Sequence, residues 1–570
     1  MIRVPDGVVR QPERSFPPYF EQHRDECWKP GVIRIGELPV WVMHNLDGWA
    51  VNSILIEGPD GLIVFDTGVN QNLGRAIRRE IDKISDKPIA AVIYSHHHAD
   101  HISGTDAIVD PADVASGKIP VYAGATFMEE FAAENSAVEP IIGVRAAYQY
   151  GAALPAEEES YTGIGKRFIG GPAGQLIMPT HFIDGEQEVV LGGLPVRFFP
   201  TGGEAGSEIG IHLPQFRLAV IADEVYAALA NLYTLRGAKF RDAMRWARAS
   251  DRVLDLDIDH LLGTHMSPIE GKDEIRRVLT VYRDAIQYNH DQALRLILSG
   301  ADPEELRTRL TELPPHLDID PFTRQMYGTV AGNVAQQFTG YLGWFTGHAA
   351  DLAPTPAGER ARRTVDLMGG RQAVLDAAAT ALNDNDPQWA IELSRHLVTA
   401  DRDDKEARTL EATAMRARGY AELNPLRRNW YLTAALELDG TFDPDAIVKA
   451  VDLTGSLPAP AMLDTLRFRL DPDIAGDLDA QIAVNVTDTG DHLLMHLRNS
   501  VLRTRPASAD DHPAATISLT REDLVALATA AATLDQITAA GSATITGDAT
   551  TATKMFRTFT ARQPVSLHLR

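Results

Sequence analysis

Four histidines and an aspartate crowd into seven positions: residues 95 to 101 read SHHHADH, directly after the apolar run IAAVIY. Histidine is scarce, 18 in 570 residues, so the cluster reads as a metal cage rather than a solvated loop. Cys27 is the only cysteine, which excludes thiolate zinc sites and intrachain disulfides; any metal is held by nitrogen and oxygen. In a turn that leaves a strand, alternate side chains share a direction. His96 and His98 would then grip one ion, while Asp100 and His101 turn towards a second. Further ligands occupy similar places: Glu204 ends VRFFPTGGE, Asp223 ends RLAVIAD and His265 ends IDHLLGTH. Each follows an apolar run that reads as a strand, so all can converge at one end of the sheets. Imidazole and carboxylate suit zinc, and two zinc ions could hold a bridging hydroxide at neutral pH. Asp66, in FDTG, is at another strand end. It reads either as a carboxylate that orients a histidine or as a plain turn aspartate.

The elements that must position these residues follow from the hydrophobic pattern. From about Pro30 to Pro268, short β-rich runs alternate with helical patterns, which predicts layered sheets and helices, an α/β domain. The strand candidates are VWVMHNL, NSILIEG, GLIVFDTG, IAAVIYSH, VRFFPTGG, RLAVIADE and IDHLLGTH. From about Lys272 to Leu436 the pattern is almost wholly helical, with one long helix stopping at Gly300. QWAIELSRHLVTADRDDKEARTLEATAMRARGYAEL reads as a helix pair. The stretch LTGSLPAPAML marks a linker. The tail from Leu457 to Arg570 mixes strands (QIAVNV, HLLMHLR, ATISLT) with an Ala- and Thr-rich helical end, a small α+β domain without a catalytic cluster. A chain of 570 residues holds two to four domains. The expected division is 1–271, 272–440 and 457–570.

A net charge of −24 argues against nucleic acid and anionic membrane surfaces as partners. It would also repel an anionic substrate at long range, so any anion site must be locally positive. The N-terminus has no apolar h-region, and no apolar run approaches the roughly 20 residues of a membrane span. The expectation is a cytoplasmic protein without membrane insertion.

SHHHADH, FDTG and the later carboxylates and histidine resemble the metallo-β-lactamase superfamily. Within it the chain is similar to alkyl sulfatases of the type that hydrolyse dodecyl sulfate. ANLYTLRGAKFRD, YRDAIQYNHDQALRLI, YGTVAGNVAQQFTGYLGWFTGHAADLAP and RRNWYLTAALEL match that family's phrases, and the likeness runs through nearly the whole chain. It implies a metallo-β-lactamase αββα sandwich, an all-α dimerisation domain that makes a homodimer, and a C-terminal domain like sterol carrier protein. It also implies two Zn²⁺ per chain. His96, His98 and Glu204 would hold the first; Asp100, His101 and His265 would hold the second. Asp223 falls where the family has a glutamate bridging both. Asn231 and Arg236 match the residues that hold the sulfate group, and a guanidinium fork independently suits a tetrahedral oxyanion. Asp100, Asn231 and Arg236 are therefore the catalytic candidates. Tyr148 and Tyr150, in RAAYQYG, match a stretch beside the alkyl pocket; a core or loop tyrosine is an equal reading.

Three departures stand out. GEAGSE replaces TEAPAE, keeping Glu204 but losing a proline that would stiffen its loop. Asp223 is one methylene shorter than the family's glutamate; Glu224 is a possible substitute, although a strand would point it to the opposite face. YAALAN places Ala227 and Ala230 where the family carries histidines, so no leaving group is protonated from there. The expected activity is hydrolysis of an amphiphilic alkyl sulfate monoester to alcohol and sulfate through a metal-activated hydroxide. The alternatives are a zinc hydrolase of another ester (phosphodiester, lactone or thioester) and a lipid-binding protein with a degenerate metal site.

Overall fold

Short apolar runs, buried on both faces, build the layers. The computed structural model describes every residue except 1, 2, 5, 6, 9–11, 136, 137, 159, 167–169, 173, 452–454, 456 and 570. Part of LTGSLPAPAML therefore lies outside the described residues. All seven strand candidates form strands: Val40–His44, Ser53–Glu57, Leu62–Phe65, Ile89–Ile93, Leu194–Pro200, Leu218–Val220 and His260–Leu262. They belong to a seven-stranded sheet running in chain order from Gly31–Arg34 to His181–Ile183, and a six-stranded sheet from Gln187–Leu191 to Ile269–Glu270. In Leu62–Phe65, Ile63 and Phe65 face Ile211 and Val220 of the other sheet. Leu62 and Val64 turn instead to Leu73, Ile77 and Ile81 of helix Gln71–Ile84. The outer face of the second sheet, with Ala219 and Leu261, packs on Trp246 and Val253 of helix Ala243–Leu254 and on Val278 and Tyr282 of helix Lys272–Ile297. These are the four layers of the expected αββα sandwich. Each fully buried aliphatic side chain contributes roughly 1.5–3 kcal/mol.

The pairing that matters most for function is parallel. Phe65 aligns with Ile93, and a register shift between Leu62 and Ile63 is confined to the far end of that pair. Both strands therefore deliver the residues that follow them, Asp66 and Ser95 onwards, to the same edge.

The helical pattern is borne out. The long helix is Lys272–Ile297, and Gly300, at φ +89°, takes a backbone conformation that favours glycine. The expected pair forms Pro387–Ala400 and Lys405–Tyr420. Both are capped by aspartate, Asp386 accepting from the Trp389 N–H and Asp404 from the Ala407 N–H. Among the described residues no helix is long and apolar enough to cross a membrane.

Contacts divide the chain into two compact units. One comprises 1–131, 144–443 and 567–570; the other comprises 132–143 and 444–566. The second unit holds a five-stranded sheet in the order Val501–Pro506, Asp491–Arg498, Ala480–Val486, Ala515–Leu519, Thr544–Gly547. Its three inner strands match QIAVNV, HLLMHLR and ATISLT. The two edge strands escape sequence reading because most of their side chains are exposed, which removes the apolar alternation.

Glu411, on helix Lys405–Tyr420, is buried and its Oε2 accepts no hydrogen bond among the described residues. Burial pushes its carboxyl up to about 8, with Arg395 acting in the opposite direction. A folded-state value above the unfolded one favours the protonated form. The associated stability is complete below the unfolded value and is lost as pH rises towards 8. Glu411→Gln is expected to raise the melting temperature by several degrees at pH 9 and only slightly at pH 5. Thermal unfolding at the two pH values checks this; equal shifts at both would refute it.

Candidate metal centre

The strand ends bring two groups of ligand types together: His96, His98 and Glu204; and Asp100, His101, Asp223 and His265. Apart from His98, which is slightly more open, all are buried. His96 and His98 follow strand Ile89–Ile93, and His98 leads into the short helix Ala99–Ile102, which carries Asp100 and His101. The helical turn is what sends Asp100 and His101 away from His96 and His98.

The spacing within each group is informative. Ligand atoms around a tetrahedral ion, bonded at about 2.0–2.1 Å, stand about 3.3 Å apart. In the second group His101 Nε2 is 3.2 Å from Asp100 Oδ2 and 3.5 Å from Asp223 Oδ2. His265 Nε2 is 3.1 Å from Asp100 Oδ2 and 3.3 Å from Asp223 Oδ2. In the first group Glu204 Oε2 is 3.5 Å from His96 Nε2 and 3.4 Å from His98 Nδ1, and the two ring nitrogens are 2.7 Å apart. Both donor sets fit a divalent cation.

Asp66 orients ligands in both groups. Its Oδ2 lies 2.7 Å from His101 Nδ1 and accepts from the Ser95 hydroxyl at 2.7 Å, while Oδ1 accepts the Ser95 N–H at 2.8 Å. Ser95 Oγ, having given its proton to Asp66, accepts from His96 Nδ1 at 3.0 Å. Each ring thus carries its proton on Nδ1 and presents the Nε2 lone pair to its group. Of the two readings of Asp66, the orienting carboxylate is the one the geometry matches. Its backbone at φ +57° is left-handed, a strained conformation held by the Ser53 hydroxyl on its carbonyl at 2.6 Å.

Burial drives the electrostatics. It pushes His96 down to about 3, with neighbouring His101 and His98 adding to the effect, so this ring is neutral and ready to ligate. Burial also pulls on His265, but Asp223 and Asp100 overcome it and raise the ring to about 10. The carboxylates thus create a field that a cation satisfies.

Three residues around Glu204 escape sequence reading. Arg241, buried, places Nη1 2.7 Å from Glu204 Oε1 and donates from the same atom to the Asn231 carbonyl at 2.7 Å. Glu208 accepts the Asp223 N–H at 2.9 Å and the Glu204 N–H at 3.1 Å, so one side chain fixes the backbone of both carboxylate ligands. Thr264 donates to Asp223 Oδ1. The only sequence signals were the second glutamate of GEAGSE and the arginine that closes ANLYTLRGAKFR. Glu224 accepts the Gly203 N–H at 2.7 Å and so braces the loop instead of reaching a ligand position. A Cβ on Gly203 would lie 2.1 Å from Glu224 Oε2, which is why glycine stands there. Glu208 and Glu224 supply the stiffness that the missing proline does not.

The other candidates divide. Asp223 Oδ2 falls in the second group, and its Oδ1 accepts from Thr264. Arg236 places Nη2 3.1 Å from His98 Nε2, and its backbone N–H is fixed by Gln149 at 2.7 Å. Asn231 is buried, and its Nδ2 has no hydrogen-bond partner among the described residues. Tyr150 is buried with its hydroxyl 3.1 Å from that of Tyr327, and it feels the charges of Arg236, Asp100 and Glu204. Tyr148 lies elsewhere: its hydroxyl donates to Glu437, and its ring packs on Trp430 and Phe442. Helix Glu139–Gln149 explains this, since Arg145 and Gln149 share the face towards Arg236 and residue 148 sits about 100° round. His97, outside both groups, meets the Ser207 hydroxyl at 3.0 Å.

Comparisons with known proteins place this geometry. Residues 46–265 match the metallo-β-lactamase superfamily, 302–441 match alkyl sulfatase dimerisation, and 448–565 match alkyl sulfatase C-terminal. A linear primary-alkylsulfatase from Pseudomonas sp. is 38% identical over 79% of this chain and 88% of its own length. An (R)-specific secondary-alkylsulfatase from Pseudomonas sp. is 34% identical over 87% of this chain and 76% of its own. The solved structure of the stereoselective inverting sec-alkylsulfatase Pisa1 from Pseudomonas sp. superposes with a TM-score of 0.84 at 31% identity, over 94% of this chain and 85% of that one.

Asp66→Asn puts an amide where two donors now converge, so at least one ring loses its orientation. Divalent-metal affinity is expected to fall by about 10–100-fold with the fold intact. Metal analysis after dialysis against graded chelator, with circular dichroism alongside, reads the change.

Proposed function

Because the chain belongs to the alkyl sulfatase family of the metallo-β-lactamase superfamily, we propose that it hydrolyses sulfate monoesters of alkyl alcohols to the alcohol and inorganic sulfate, with two zinc ions per chain. His96, His98 and Glu204 hold one ion; Asp100, His101, Asp223 and His265 hold the other. Bound zinc supplies the Lewis acidity that makes water a nucleophile at neutral pH.

The observation that carries the choice of substrate is the approach of Arg236 to His98. Arg236 Nη2, which can only donate, reaches His98 Nε2, while His98 Nδ1 turns to Glu204 and His96. The distance is 3.1 Å, which puts the guanidinium beside the first ligand group. A guanidinium fixed at the edge of the ligand group offers charge-assisted hydrogen bonds to an anionic oxygen, and a sulfate oxygen suits that fork. Asn231, whose buried Nδ2 has no partner, adds an uncharged donor for the same group. Its loop is tied to the metal ligands through Arg241, which holds both the Asn231 carbonyl and Glu204. Gln149, Arg145 and Arg241 thus position the anion-binding residues before substrate arrives, which is how electrostatic stabilisation becomes effective.

The match to alkyl sulfatase dimerisation supports a homodimer through the helical region. There Tyr341, Leu342, Trp344 and Leu352 leave large apolar side chains exposed, which a second copy would cover. The C-terminal unit has a partly open pocket of about 310 Å³ in which Leu466, Leu527 and Phe556 stand beside Arg469, Asp535 and Arg557.

Sulfate release from a series of alkyl sulfates tests the proposal. The wild-type protein is expected to lose turnover on dialysis against chelator and to recover it with zinc. Arg236→Ala is expected to lower kcat/KM by about 10²–10³-fold while keeping its metal. Turnover indifferent to both treatments would sink this reading.

A further inference from the structure

The segment YAALAN, between Asp223 and the Arg236 loop, contains a second buried donor besides Asn231. Tyr226 is fully buried, and its hydroxyl has no hydrogen-bond partner among the described residues. A core tyrosine ordinarily satisfies its hydroxyl, because a buried donor left unpaired is destabilising. Several neighbours are equipped to do so in principle, yet they are engaged elsewhere. Tyr327 packs edge-on against Tyr226 at 5.2 Å between ring centroids, but its hydroxyl meets that of Tyr150. Tyr282 instead accepts the backbone N–H of Tyr226 at 3.3 Å. Trp246, also edge-on at 6.0 Å, gives its indole N–H to the Glu224 carbonyl.

Tyr226 lies in the aromatic core where that core borders the metal centre. Its ring lies 5.8 Å from the ring of His265, and its backbone bridges to the same residue. The carboxylates of Glu204 and Asp223 and the guanidinium of Arg241 act on it electrostatically. Both unpaired donors of this segment, Tyr226 Oη and Asn231 Nδ2, thus belong to the surroundings of Glu204. Two uncharged donors held unpaired beside one charged site are preorganised for an anion with several oxygens. We propose that Tyr226 is a substrate-binding residue that donates a hydrogen bond to the sulfate head of the ester, alongside Asn231 and Arg236. The assignment rests on the alkyl sulfatase reading for its substrate, but not for its test, because inorganic sulfate alone probes the same contact.

Tyr226→Phe keeps the ring and removes only the hydroxyl. Inorganic sulfate is titrated into wild-type and variant protein, both loaded with zinc, and binding is read by calorimetry. The expected result is about 10-fold weaker sulfate binding in the variant, with unchanged metal content. Hydrolysis of a medium-chain alkyl sulfate is expected to lose about 10–100-fold in kcat/KM. The melting temperature in the absence of sulfate is expected to hold or rise, since no internal hydrogen bond is lost; a merely structural hydroxyl would lower it. Equal sulfate binding by both proteins, no binding by either, or a melting temperature several degrees lower in the variant would each overturn the assignment. A wild-type protein that binds sulfate but hydrolyses no alkyl ester would overturn the function proposed above and leave the Tyr226 contact standing.

Discussion

One buried carboxylate sets the orientation of both halves of the centre. Asp66 takes His101 directly and His96 through Ser95, so the ring that anchors each ligand group is turned by a single side chain. The ligand spacing would not survive without that arrangement, because an imidazole free to rotate presents either nitrogen. Everything around it serves to keep Asp66 in place: the strained left-handed backbone, the Ser53 hydroxyl on its carbonyl, and the close-packed layers of aliphatic side chains behind it.

A second constraint is the charge of the chain. At −24 it repels an anionic ester from a distance, and the buried carboxylates of the centre deepen that field. Recognition of sulfate must then rest on short-range donors. Two arginines are placed differently: Arg236 faces His98, whereas Arg241 is spent on Glu204 and on the backbone of Asn231. An exchange of Arg236 for lysine would remove the fork that reaches Gly237 and His98 together.

The ligands were legible because chemistry and periodicity coincide at strand ends. An apolar run that stops at a histidine or carboxylate says both that the residue emerges at a sheet edge and that it can bind metal. All seven ligand-type residues came together on that logic. The residues that brace them were not legible. Arg241 and Glu208 act on partners that only the tertiary fold supplies, and their sequence surroundings look like ordinary loop. Tyr226 sits in a run of small residues where a tyrosine suggests core. Tyr148 shows the opposite failure: a motif match fixed its position in the chain, but the face of the helix decides where a side chain points, and one residue is about 100° of rotation.

The parallel pair that carries Asp66 and the histidines has its irregularity at one end only. Beyond the shift at Leu62 and Ile63, the pairing runs regularly to Phe65 and Ile93. An added residue in the turn around Ser85–Pro88 can therefore be taken up where the ladder is already uneven, without moving the histidines by a step that would swap their faces. The fold thus separates a side where length is free to drift from a side where it is fixed. Lineages of this chain can be remodelled at the first while inheriting the second unaltered.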